Sequence, residues 1–226
     1  MGKLIRLELK KMKLRNWLIS VFIANIIIGL WVVTSLPNEG VKSYVDAFYS
    51  IRSYVELTFF VMASVLMSKL FLDEYKNRTI SVLFTYPVPR SRIMTAKLIV
   101  LCSFSYVAVI VSNGFVVGFF LLYDAQASMI AETLTWSMLT DETLRIVING
   151  FSVMGLGLIP LSVGLLRKSV PATIISAMVL GLSYGSTHDE SGSNWTLALV
   201  IASFSMAIGL LTAYFSIRRA TREDMM

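Results

Sequence analysis

Six stretches of this chain are apolar for long enough, or nearly long enough, to cross a lipid bilayer. They run over 17–36, 54–72, 98–123, 144–166, 170–186 and 195–217. A hydrocarbon core of about 30 Å takes about 20 such residues as helix. In the first stretch the polar interruptions are Ser20, Asn25, Thr34 and Ser35. The second carries Glu56 near its start and Lys69 near its end, the fourth contains Pro160, and the fifth is the shortest. None alternates apolar and polar residues as a barrel strand does, so helices are the form open to them. The pattern predicts an all-α, polytopic membrane protein, one domain over 1–226 with six transmembrane helices.

Composition agrees with the pattern and narrows the class. Of 226 residues, 56% are hydrophobic and 15% charged, against about 25% charged in a soluble domain. So much apolar side chain has no interior to hide in at this length. A soluble enzyme, a disordered chain and a nucleic-acid-binding protein are excluded, although the net charge is +6. The placement of that charge sets the orientation. Of 20 Lys and Arg, 17 fall on one side of the six spans, and only Lys42, Arg52 and Arg145 on the other. Basic residues stay inside, which predicts both termini cytoplasmic in a bacterial cytoplasmic membrane. Glu39, Asp46, Asp124, Glu132, Asp141, Glu142, Asp189 and Glu190 fall outside. Tyr54, Tyr123, Tyr184 and Trp195 at outer ends, with Trp17 and Tyr75 at inner ends, match the headgroup preference of amphipathic rings.

The segments between spans divide by character. Lys3, Arg6, Lys10 and Lys13 recur at helical spacing, while Ile5, Leu9 and Met12 fall on another face. This predicts a basic amphipathic helix over Lys3–Arg15 lying on the inner leaflet, where each basic residue contributes about 1 kcal/mol. The longest inner connection, Asp73–Lys97, reads DEYKNRTISVLFTYPVPRSRIMTAK. Its Tyr86-Pro87-Val88-Pro89 is a stiff turn, because each proline fixes φ and biases its predecessor away from helix. Ser91 sits where a cap would open the next helix. An apolar Leu83-Phe84 pair in a cytoplasmic connection calls for a partner or a lipid surface to cover it. The outer segment Asp124–Thr143 lacks Lys and Arg and reads as a surface helix at the outer interface.

Catalytic chemistry is sparse. Cys102 is the one cysteine and His188 the one histidine, which leaves no intramolecular disulfide and no cysteine or histidine metal cluster. The consecutive Thr187-His188-Asp189-Glu190 run is a poor metal site, since neighbours on a loop rarely converge on one ion. No G-x-x-x-x-G-K-[ST] occurs, so the chain is not itself a P-loop ATPase. Polar residues inside the spans are the functional candidates: Glu56, then Asn25, Asn113 and Asn149. Glu56 near the outer boundary reads equally as a partner of Arg52 or as part of a pathway. The asparagines read as pathway groups or as interhelical glue worth about 0.6 kcal/mol each. Lys69 is explained by snorkelling. Gly114-x-x-x-Gly118, and the ladder Ala177, Gly181 and Gly185, let helix backbones approach in a tight bundle or a dimer face.

The order of these features resembles an ABC transporter permease of the ABC-2, or type V exporter, kind. A basic amphipathic helix precedes six spans. Glu74-Tyr75-Lys76-Asn77-Arg78-Thr79, then Leu83-Phe84-Thr85-Tyr86-Pro87-Val88-Pro89-Arg90, then Ile93 to Lys97, is similar to that family's pattern after the second span. The resemblance implies a cytoplasmic coupling helix that docks on a separate ATPase, carried by Glu74, Lys76, Arg78, Thr79, Leu83, Phe84, Pro87, Arg90 and Lys97. Arg78 stands where the family has a small residue. The fifth–sixth connection is shorter than in relatives with re-entrant helices, and the third–fourth is longer. The resemblance further implies two permease chains, identical or related, above an ATPase dimer that binds ATP and Mg, with no cofactor on this chain itself. Small permeases of this architecture resemble those of bacitracin and lantibiotic self-protection systems, so an antimicrobial or amphipathic peptide is the expected cargo. Lipid, polysaccharide and ion exporters share the fold. A non-transporting membrane sensor or scaffold is the competing reading, with 124–143 as its ligand surface. An intramembrane enzyme lacks a nucleophile–base pair.

Overall fold

Helix formation follows the apolar stretches but overruns their edges. A computed structural model describes residues 2–11, 14–41, 43–72, 90–167, 169–187 and 195–223, and the regular structure among the described residues is helical. In chain order the helices are α1 (Gly2–Lys11), α2 (Leu14–Ser35), α3 (Tyr44–Met67), α4 (Arg90–Ala127), α5 (Trp136–Leu156), α6 (Ile159–Arg167), α7 (Val170–Thr187) and α8 (Trp195–Glu223). α3 continues into a π-helical turn over Ser68–Leu72. Among the described residues, five segments are long and apolar enough to cross a membrane: Leu14–Ser35, Tyr44–Phe71, Arg92–Ala127, Trp136–Gly164 and Leu199–Ser216. Val170–Tyr184 is a shorter apolar helix. α2 displays why lipid is the surrounding solvent. Leu18, Phe22, Ile23, Ile27, Leu30 and Trp31 are exposed on one side, while Val21, Ile28 and Val32 are buried on the other. An apolar surface of that extent is stable only against lipid or another protein.

Three boundaries differ from those the hydropathy predicts. α3 starts at Tyr44 rather than 54, because Ala47, Phe48, Ile51 and Val55 form one buried stripe through a segment that is otherwise polar. Ser43 caps this helix by accepting from the Val45 N–H at 3.1 Å. Arg52 is therefore a buried helix residue, not a loop charge. The fourth span is two helices broken at Gly157–Leu158. Pro160 has no N–H for the Leu156 carbonyl, so the helix restarts with the proline in its first turn, where it is tolerated. The segment 124–143 is not one surface helix. α4 runs through it to Ala127, residues 128–135 are irregular, and α5 begins at Trp136.

That irregular stretch is folded back on the start of α3. Asp124 organises it: Oδ2 accepts from the Tyr44 hydroxyl at 2.6 Å, and Oδ1 accepts from the Met129 and Ile130 amides at 3.0 and 3.2 Å. Glu132 Oε2 accepts from the Tyr44 N–H at 3.2 Å, taking one of the orphan donors of a helix start. Two apolar cores fill the bundle. One, at this acidic end, joins α2, α3 and α4 through Val32, Leu36, Phe48, Ile51, Phe60 and Phe120. The other, at the basic end, gathers Leu66, Met67, Phe71, Leu101, Leu158 and Leu161, with Ile5 and Leu9 of α1 packed against it. α1 thus turns those two apolar residues to the bundle and leaves Arg6 exposed.

Candidate functional site

The basic end of the bundle carries the connection between α3 and α4. Glu74, Lys76, Arg78, Thr79, Leu83, Phe84 and Pro87 lie outside the described residues. Arg90 opens α4. Lys97 stands two turns into α4, is buried, and donates from Nζ to the Leu70 carbonyl at 2.7 Å. Its ammonium also lies 5.8 Å from the Phe71 ring centroid. The last carbonyls of a helix are orphan acceptors and its C-terminus favours a cation, so a lysine from the neighbouring helix is the complementary group. This clasp holds the two flanks of the 73–89 connection side by side. Nearby, the exposed Lys69 places its ammonium 5.2 Å from the Trp17 ring centroid.

Charged and polar groups are buried higher in the bundle. Arg52 of α3 gives Nη1 to both carboxylate oxygens of Glu142 of α5, each at 3.0 Å, and both side chains are about nine-tenths buried. The partner of Arg52 is thus 90 residues away, rather than Glu56 one turn along. Glu56 is 5% exposed, and its Oε1 accepts no hydrogen bond. With α3 beginning at Tyr44, Glu56 sits twelve residues, about 18 Å, into the helix. It belongs to the middle of the span, not near its outer boundary. Asn25 of α2 and Asn113 of α4 are buried with an unpartnered Oδ1 each, and Asn149 is buried in α5. Asn113 spends its amide on the Val109 carbonyl of its own helix at 2.9 Å. Among the described residues no group of three or more His, Cys, Asp and Glu is placed to hold a metal ion.

The small residues separate into two kinds. Ala177 is fully buried, and a Cβ on Gly181 would come within 2.9 Å of Leu57. α7 therefore packs closely on α3 there; Gly185 continues along the same helix. Gly114 and Gly118 have nothing within 4 Å of where a Cβ would sit, so they face away from the chain's own helices. The tightest crossing involves a residue that hydropathy patterning does not single out. A Cβ on Gly155 would lie 2.5 Å from Met206 Cα, and one on Gly209 would overlap the Gly155 backbone. α5 and α8 thus touch backbone to backbone. Gly209 is the middle of a small-residue ladder, Ser205-x-x-x-Gly209-x-x-x-Ala213; Ser112, silent in the sequence, is fully buried with an unpartnered hydroxyl.

Comparison with known proteins places this architecture. The family model described as ABC-2 family transporter protein matches residues 4–184. The Bacillus subtilis protein YcbO is 34% identical over 227 residues, covering 98% of this chain and 99% of that one.

Proposed function

Because the chain belongs to the ABC-2 transporter family, we propose that it is the permease subunit of an exporter driven by a separate ATPase. The observation that carries this reading is the Lys97–Leu70 clasp. A docked ATPase would push on the connection 73–89. With its flanks tied by a buried ammonium–carbonyl bond, that push moves α3 and α4 together as one lever instead of fraying either end. Rigid-body motion of packed helices is how such bundles switch access. ATP and Mg belong to the partner chain, and this subunit supplies no catalytic residue. Both termini and the clasp lie on the cytoplasmic side, in keeping with the basic residues gathered there.

A second permease chain, identical or related, completes the path. Gly114 and Gly118, open on the surface beside exposed Val111 and Phe115, give a strip where another helix can approach closely. The cargo in this reading is an amphipathic peptide of the antimicrobial kind, which follows the resemblance to self-protection permeases. The test is a mild-detergent pull-down of the tagged chain from its native membrane, with ATPase activity measured on the eluate. A stoichiometric P-loop ATPase is expected, lost when Leu83 and Phe84 are both replaced by Asp. A permease that elutes alone, or a double variant that keeps its ATPase, refutes the coupling role.

A further inference from the structure

We propose that Arg52 is an exchangeable latch. It ties α3 to α5 through Glu142 while Glu56 holds a proton, and it releases α5 by turning to Glu56 as the proton passes to Glu142. Arg52 and Glu56 are four residues apart on α3, which sets them one above the other on one helix face. Arg52 reaches across to α5, with Nη1 at 3.0 Å from both carboxylate oxygens of Glu142. Glu56 lies near enough to feel the charges of both Arg52 and Glu142. Arg52, Glu56 and Glu142 are 8%, 5% and 7% exposed. The other titratable groups facing them are Tyr184 of α7, which feels Glu56 and Arg52, and half-buried Arg145 of α5, which acts on Glu142. α7 is held to this stretch of α3 by Gly181 against Leu57 and by the Phe60 and Tyr184 rings, 6.0 Å apart.

Charge balance gives the proton. Two carboxyl groups and one guanidinium, all removed from water, are neutral only when one carboxyl is protonated. Glu142 takes two bonds from the guanidinium, whereas Glu56 Oε1 has no hydrogen-bond partner. That marks Glu142 as the anion and Glu56 as the acid. Exchange reverses the assignment at constant charge: one O–H bond breaks at Glu56, one forms at Glu142, and the guanidinium changes carboxylate by a side-chain rotation. The two states differ in what they connect. Arg52 with Glu142 bridges two helices; Arg52 with Glu56 stays within α3. Among residues 136–145, the outer turns of α5, Glu142 alone is buried; Met138, Leu139 and Arg145 are half-buried and the other six are exposed. The inner part of α5 is fixed by its backbone crossing with Gly209 and by Phe151, whose ring lies 4.7 Å from that of Tyr106. The exchangeable tie is therefore what holds the outer turns, and opening it lets them swing from the fixed inner part.

The latch belongs to this chain alone, independent of whether an ATPase docks, and is tested on the purified full chain in an alkyl maltoside, which has no carbonyl group. Infrared spectra at neutral pH are expected to show a protonated-carboxyl band in the wild type that is lost in Glu56→Gln and equally in Glu142→Gln. The second loss is decisive. A buried acid with no part in an exchange keeps its proton when Glu142 is neutralised, whereas here Arg52 turns to Glu56 and ionises it. Motion is read at Ile146→Cys, on the buried face of α5 one turn from Glu142, in a Cys102→Ala background. Labelling by a charged maleimide is expected to be about tenfold or more faster with Glu142→Gln than with Glu56→Gln, with the wild type between them. A wild type without the band, a Glu142→Gln protein that keeps it, or equal labelling in the two variants overturns the proposal. Should Glu142→Gln fail to fold, Glu56→Gln decides against the wild type: its labelling is expected to be about fivefold slower, and an equal rate overturns the latch.

Discussion

Removing Arg52 is expected to cost this protein far more than removing its partner Glu142. The two form a buried pair, with Nη1 at 3.0 Å from both carboxylate oxygens and side chains 10% and 8% exposed. Deleting one member of such a pair strands the other and costs about 3–5 kcal/mol. Here the two deletions are not equivalent, because Glu56 lies one helical turn from Arg52, its own Oε1 unpartnered. Arg52→Met leaves two buried carboxyl groups with only the half-buried Arg145 acting on Glu142, so a penalty of about 3–5 kcal/mol applies. Glu142→Gln leaves Arg52 able to turn to Glu56, which limits the loss to about 1–2 kcal/mol. For a chain of this size each kcal/mol shifts Tm by roughly 2–4 °C. Arg52→Met is thus expected to fall by about 6–20 °C, and Glu142→Gln by about 2–8 °C. Replacing both, Arg52→Met with Glu142→Leu, should recover most of the loss, since an apolar pair of similar volume needs no solvation. Thermal unfolding of the four proteins in one detergent measures all three differences. Equal losses for the two single variants, or a double variant as unstable as Arg52→Met, would refute the argument that Glu56 stands ready as a second partner.

Two further substitutions probe the packing. Gly209→Val drives a side chain into the Gly155 backbone and is expected to destabilise by more than about 4 kcal/mol; Gly114→Ala, with open space around it, should change Tm by no more than a few degrees, and a large loss there would refute its outward placement. Tyr44→Phe removes the 2.6 Å bond to Asp124 and should cost about 1.5–3 kcal/mol. Faster proteolysis within 128–135 is the expected signature, and an unchanged cleavage rate would show that the Met129 and Ile130 amides alone hold the segment.

The helices themselves were readable because their signal is local. A run such as 17–36 needs no neighbour to declare that it prefers lipid, and α2 occupies nearly that range. α3 was readable only in its second half. Its first ten residues, Tyr44–Ser53, carry Asp46, Ser50, Arg52 and Ser53 and look like a loop by hydropathy. They are helical because Ala47, Phe48 and Ile51 repeat at a spacing that buries them against α2 and α4. That shift moves Glu56 from a boundary to the centre of the span and changes what the residue can do. The glycines follow the same division. Gly114-x-x-x-Gly118 and Ser205-x-x-x-Gly209-x-x-x-Ala213 share the spacing of a packing motif, yet the first meets nothing among the described residues and the second makes the closest backbone crossing.

By itself the sequence determined that this is a helical, multi-pass membrane protein with its basic residues gathered at one end. Those properties follow from the transfer of side chains between water and lipid, which each segment settles for itself. The partners of its buried polar groups were decided by tertiary structure alone. Arg52 meets Glu142 across 90 residues, Lys97 finds the Leu70 carbonyl, and Tyr44 meets Asp124 across 80. A charge or amide removed from water needs a partner wherever in the chain that partner lies, and only the packing of whole helices brings the two together.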